Sequence, residues 1–194
     1  MKYEITSQPS VEPLTLTEAK AHLRVDHTTD DTLIESLIKA ARTYCEQFQN
    51  RAYITQTRKL YLNDFPGNDC EIALPGAPLQ SVSSVTYVDT DGATQTWSSA
   101  LYQVDAKDQP GVLMPVWGEV YPLVYPNKLN AVTITYICGY GATSASIPEN
   151  IRHAVRLLLG DMYNNRENAV VGNIVNTLPL SVESLLWQDR IHTF

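Results

Sequence analysis

The feature that most constrains this fold is an apolar stripe running through residues 33–48. Leu33, Ile34, Leu37, Ile38, Ala41, Tyr44, Cys45 and Phe48 recur at intervals of one and three, which lines them up on one wide face of an α-helix. Glu35, Lys39, Arg42 and Glu46 fall on the opposite face and are expected to meet water. Thr28-Thr29-Asp30-Asp31 opens this helix, with two carboxylates at its positive end. Upstream, Thr15-Leu16-Thr17-Glu18 has the form of a capping box and starts a shorter helix to about Arg24. Two helices in residues 1–50 cannot bury enough surface to stand alone. The stripe therefore needs a partner from elsewhere in the chain.

That partner is legible near the other end. Ile151, Ala154, Val155, Leu158, Leu159, Met162 and Tyr163 repeat at helical period. Ser146-Ile147-Pro148-Glu149 supplies an N-cap, a first-turn proline and a capping glutamate. A last short helix, residues 179–188, carries Val182, Leu185, Leu186 and Trp187, after an asparagine-rich loop at 164–177. Between the helical ends the pattern is that of strands and turns. Residues 52–62, 81–88 and 131–138 are rich in β-branched and aromatic residues, and in the last of them Val132, Ile134 and Tyr136 alternate with Thr133 and Thr135. Asp89-Thr90-Asp91-Gly92 reads as a hairpin turn. Most of the 11 prolines lie between residues 66 and 148, where they break any long helix, and residues 117–128 read as an irregular loop. The expected fold is α+β: a mainly helical bundle of four or so helices from both chain ends, with a small inserted antiparallel β module. Its expected parts are 1–50 with 147–194 for the helical core, and 51–146 for the module.

Composition narrows the function. Hydrophobic residues at 44% and charged residues at 18% indicate a globular chain. A net charge of −7 argues against a grip on nucleic acid through its phosphates, although an acidic wall lets DNA pass without sticking. Cys45, Cys70 and Cys138 are odd in number and irregularly spaced, so neither a disulfide framework nor a zinc site is expected, and a reducing compartment fits. The opening residues lack the apolar stretch of a signal peptide, and no apolar run is long enough to span a membrane.

No catalytic motif emerges. His22, His27, His153 and His192 are scattered without metal-ligand spacing, and no nucleophile elbow or phosphate loop is present. Gly139-Tyr140-Gly141 lacks a third glycine and reads as a strand-exit bend. Asp30-Asp31 is explained by a helix start and Asp89/Asp91 by a turn. We therefore expect no enzyme, cofactor or metal. Candidate contact residues are Tyr102, Trp117, Tyr121 and Tyr125, which are equally suited to an interface or to the module's own core. The tail from Trp187 to Phe194 places Ile191 and Phe194 beyond the last helix, where they either order on a partner or dock on the chain itself.

The run Glu12-Pro13-Leu14-Thr15-Leu16-Thr17-Glu18-Ala19-Lys20-Ala21-His22-Leu23-Arg24-Val25-Asp26 is similar to the opening of the phage head–tail connector family, the head-completion adaptors. The likeness continues through Asp30-Asp31-Thr32-Leu33-Ile34, Arg51-Ala52-Tyr53-Ile54-Thr55, Leu74-Pro75-Gly76-Ala77-Pro78-Leu79-Gln80-Ser81-Val82 and Leu178-Pro179-Leu180-Ser181-Val182. The asparagine-rich loop departs from the commoner pattern. The resemblance implies a structural protein of a tailed phage or phage-derived particle, made in the bacterial host cytoplasm and placed in the virion neck. It implies a ring of copies, usually dodecameric, under the portal protein, extending the DNA channel and docking a stopper or tail-completion protein. In such a chain the tail residues Trp187, Arg190, Ile191, His192 and Phe194 are the expected portal contacts, and deleting residues 187–194 is expected to spare folding while abolishing portal binding. The alternatives are another neck or tail component such as a tail terminator, disfavoured by the capped flanking helices, or a glycan-cleaving virion enzyme using Asp89 and Asp91.

Overall fold

The computed structural model describes residues 2–67, 70–166 and 180–192. The chain divides into two compact units, Met1–Pro9 with Thr55–Tyr140, and Ser10–Ile54 with Gly141–Phe194. Strand residues nearly match helical ones, so "mainly helical" overstates the helix: the proline-rich middle builds two sheets rather than one small module.

In the first unit, β1 (Lys2–Ser7), β2 (Gln56–Leu62), β4 (Leu79–Val88), β5 (Thr94–Trp97) and β8 (Val132–Cys138) form an antiparallel sheet in the order β1-β2-β8-β4-β5. A second sheet runs β3-β7-β6, from β3 (Ile72–Leu74), β7 (Gly111–Pro115) and β6 (Tyr102–Asp105). Central β8 buries Val132, Ile134, Tyr136 and Cys138 on one face, as its period of two requires. The expectation that residues 1–50 belong wholly to the helical core fails at β1, which pairs with β2 at the sheet's edge. Its side chains are almost all exposed, and the brief alternation Lys2-Tyr3-Glu4-Ile5-Thr6 was not read as a strand. Tyr3 covers the guanidinium of buried Arg58 at 5.0 Å. Beneath it the turn before Pro78 is held by the Tyr136 hydroxyl, which donates to the Pro75 carbonyl at 2.8 Å. Only glycine fits at position 76: φ is +90°, and a Cβ would fall 2.1 Å from Arg58 Nη1.

An aromatic cluster joins strands of both sheets. Phe65 stacks on Tyr121 at 5.1 Å and meets Trp97 edge-on at 5.5 Å, while Trp97 lies 5.0 Å from Tyr102. The turn between β4 and β5 is built as expected, with Gly92 at φ +86°.

The second unit holds α1 (Leu16–Leu23), α2 (Asp31–Gln49), α3 (Glu149–Asn164) and α4 (Leu180–Trp187). α2 packs on α3, and both pack on α4. Ile34, Ile38, Ala41 and Cys45 meet a core that includes Ile151, Ala154, Val155, Leu158, Leu159, Val182 and Leu186. Burial pushes the Cys45 thiol up to about 12, making it an inert core group.

The capping box of α1 is complete, since Glu18 N–H donates to Thr15 Oγ1 at 3.2 Å and Thr15 N–H to Glu18 Oε2 at 2.8 Å. Its other oxygen binds Arg152 of α3 at 2.6 Å. These bonds, the Thr15 N–H foremost, hold the Glu18 carboxyl below its usual range. Thr15→Ala is expected to cost about 1 kcal/mol, a fall in Tm of roughly 2–4 °C by circular dichroism.

Two start signals work differently from expectation. Asp30 makes no side-chain cap; its carboxylate takes the Tyr163 hydroxyl at 2.6 Å and Arg166 at 2.8 Å, tying the start of α2 to the end of α3. α3 begins at Glu149 with Pro148 as N-cap, because Ser146 lies in a preceding 3-10 turn, Ser144–Ser146. Glu149 turns forward to Arg152 and Arg156 instead of back. The asparagine-rich loop falls largely on residues 167–179, outside the described residues.

Candidate assembly surfaces

Of the carboxylates weighed for chemistry, Asp89 is occupied with a turn. Asp89 accepts from the N–H groups of Asp91 at 3.1 Å and Ala93 at 2.9 Å and from Gln95 Nε2 at 2.8 Å. These bonds, Gln95 first, keep its carboxyl below the usual range. It braces a hairpin. Among the described residues no three His, Cys, Asp or Glu side chains gather as metal ligands. Cys45 and Cys138 are buried, whereas Cys70 is exposed. Gly139 takes φ +123° at the strand exit and its carbonyl receives Gln80 Nε2 at 2.7 Å.

The four aromatic contact candidates split. Tyr102 and Tyr121 are buried in the aromatic cluster, and the Tyr121 hydroxyl donates to the Cys70 carbonyl at 2.8 Å. Trp117 is fully exposed and Tyr125 nearly half so. Sequence reading missed their neighbours Val120, Leu123 and Leu129, all strongly exposed. Loop residues give no periodic signal, so only the fold separates the outward side chains from the anchoring ones. The expected irregular loop is nonetheless pinned: Val116 N–H donates to Leu101 O at 3.1 Å, Tyr125 N–H to Val88 O at 2.9 Å, and Asn130 N–H to Asn63 Oδ1 at 2.9 Å.

The tail residues dock on their own helical unit. Ile191 is buried, its N–H donating to the Gln49 carbonyl at 3.0 Å and its carbonyl accepting from Asn50 Nδ2 at 2.8 Å. Gln49 Nε2 reaches Leu186 O at 2.7 Å, Arg51 reaches Asp189 O, and Asn150 binds the Asp189 carboxylate at 2.9 Å. Arg190 lies over Phe48 at 4.7 Å and Trp187 at 5.0 Å, and Trp187 meets His192 at 5.7 Å. The result is a partly exposed aromatic patch of Phe48, Trp187 and His192. Phe194 lies outside the described residues. Gln49 and Asn50 were not singled out in the sequence, and Arg51 was named only within the family resemblance. Their signal was three side-chain donors in a row where α2 ends, the place where carbonyls lack partners.

A profile of the family described as head completion protein matches residues 12–173. The chain belongs to the head completion protein family. Solved structures with the same fold cover 100% of this chain and 97% of their own, at 22% identity. They come from the virion of a native gene transfer agent particle (TM-score 0.82), the neck of an empty gene transfer agent particle computed with C6 symmetry (0.82) and the neck of a native one computed with C12 symmetry (0.80). Comparison with curated proteins finds no match. The profile of head completion proteins stops short of α4 and the tail, whereas the structural likeness includes them.

Proposed function

We propose that this protein is a head-completion adaptor that acts by assembly and without catalysis. Copies form a ring in the neck of a phage or phage-like particle, beneath the portal protein, and present the surface on which a stopper or tail-completion protein docks. Membership of the head completion family carries this reading. The C12 symmetry of a neck containing the same fold supports a ring of twelve. The net charge of −7 suits a channel wall that DNA passes without binding. Carboxylates such as Asp89 and Glu18 serve turns, caps and ion pairs, which supports a role free of catalysis. Within the tail, Trp187, Arg190 and His192 offer the portal an aromatic and cationic patch, and Phe194 follows them in sequence. Ile191, being buried, contributes by holding that patch in place.

The test is electron microscopy of the full chain mixed with the portal protein of the same particle. A twelve-fold ring stacked on the portal is the expected image. Unbound monomers at saturating portal would end the adaptor reading.

A further inference from the structure

The loop between β7 and β8 has no role in the reading above. Residues 116–130 present Trp117 fully exposed, Leu123 at 80%, Leu129 at 75% and Val120 at 60%. The loop holds its shape through Tyr121, sunk in the aromatic cluster, and through backbone bonds at both ends. Outward apolar side chains on a braced loop are prepared for a contact, since little ordering entropy remains to be lost on binding. With Tyr125 they expose on the order of 600 Å² of apolar-rich surface, at the top of what a monomer ordinarily leaves to water.

The chemistry of the loop selects its occupant. Its two charged residues, Glu119 and Lys128, cancel, in a chain whose net charge is −7. DNA is a poor fit, because phosphates need several cations and the single lysine lies by the Tyr125 ring at 6.0 Å. A lipid surface is a poor fit too, as among the described residues no basic amphipathic helix accompanies the loop. Two copies of an acidic chain carry a net repulsion, which is least where an uncharged apolar face makes the contact. We infer that the 116–130 loop is the contact by which one copy of this chain docks on a second copy. The inference rests on the ring reading above and names its joint. A head-to-tail ring uses a different face on the receiving copy, so the loop acts as the knob. At less than the ~800 Å² per partner of a standard interface, the joint is weak for an isolated pair. It strengthens when a closed ring engages both faces of every copy.

Sedimentation of the purified full chain from about 10 µM to about 1 mM tests this, alongside a Trp117→Ser/Leu123→Ser double variant and a Lys107→Ser control. Wild type and control are expected to self-associate as concentration rises, and the double variant at least about tenfold more weakly with an unchanged melting curve. A photo-cross-linker at position 123 should join the loop to a second copy. Identical association in the double variant, or no association and no cross-link in the wild type, overturns the inference. If the double variant still forms rings on the portal, the loop is wrong and the adaptor role stands. If copies associate through the loop but no ring forms on the portal, the joint stands and the adaptor role falls.

Discussion

Arg42→Ala is expected to cost about 3–5 kcal/mol, the penalty for breaking a buried ion pair from one side. That is a large share of a stability of roughly 5–15 kcal/mol. Arg42 is buried in the helical unit, donating from Nε to Glu12 at 2.7 Å and from Nη1 to Glu46 at 2.8 Å. Burial alone would pull its proton affinity down, but Glu46 and Glu12 more than offset this and hold it charged. Without it, the Glu46 carboxylate stays buried beside the Tyr53 N–H, which donates to it at 2.7 Å, and has lost the Arg42 guanidinium at 2.8 Å. Thermal denaturation should show the helical signal lost far below the wild-type midpoint. Pairing Arg42→Met with Glu46→Gln should recover most of the loss, because the amide oxygen still accepts from Tyr53 and the one carboxylate left without Arg42, Glu12, is the more exposed of the two. Equal midpoints for Arg42→Ala and wild type would mean that the triad is solvated and contributes little.

Deleting residues 187–194 is expected to lower Tm by on the order of 10 °C. This reverses the expectation that the tail is dispensable for folding. Removal uncovers the core where Ile191 sits and takes away the carbonyls that Asn50 and Arg51 use. Any loss of portal binding by the truncated chain is therefore confounded with unfolding. His192→Ala changes an exposed side chain against Trp187 and should leave Tm within about 2 °C. Reduced capture of this variant by immobilised portal would assign the patch a contact role. An unchanged melting curve for the truncation would show instead that the docked tail adds nothing to the helical unit.

Several elements could be read directly from residue order because their cause is local. Thr15 and Glu18 close a cap within one turn, Asp89 and Gly92 close a hairpin within five residues, and β8 alternates by itself. The stripe on α2 was legible for the same reason. Even so, its edge residues Leu33, Leu37 and Phe48 are only half-buried and Tyr44 is exposed, since the partner helices are narrower than the stripe. The start of α3 misled because a serine, a proline and a glutamate suit a cap, yet a 3-10 turn claims the serine first.

The polar face of α2 shows where local reasoning stops. Glu35 and Lys39 meet water as their spacing suggests, whereas Arg42 and Glu46, of the same type and on the same face, are buried. Nothing within the helix distinguishes the two pairs. Glu12 and the Tyr53 N–H do, and they arrive from outside it. The same holds for loop 116–130, whose outward residues are known only once Tyr121 is anchored. Periodicity, caps and turns, which act over a few residues, determined the helices, the central strand and the family resemblance. Tertiary packing decided which charges are buried, where the tail docks and which apolar side chains remain for a partner, because each depends on groups distant in sequence.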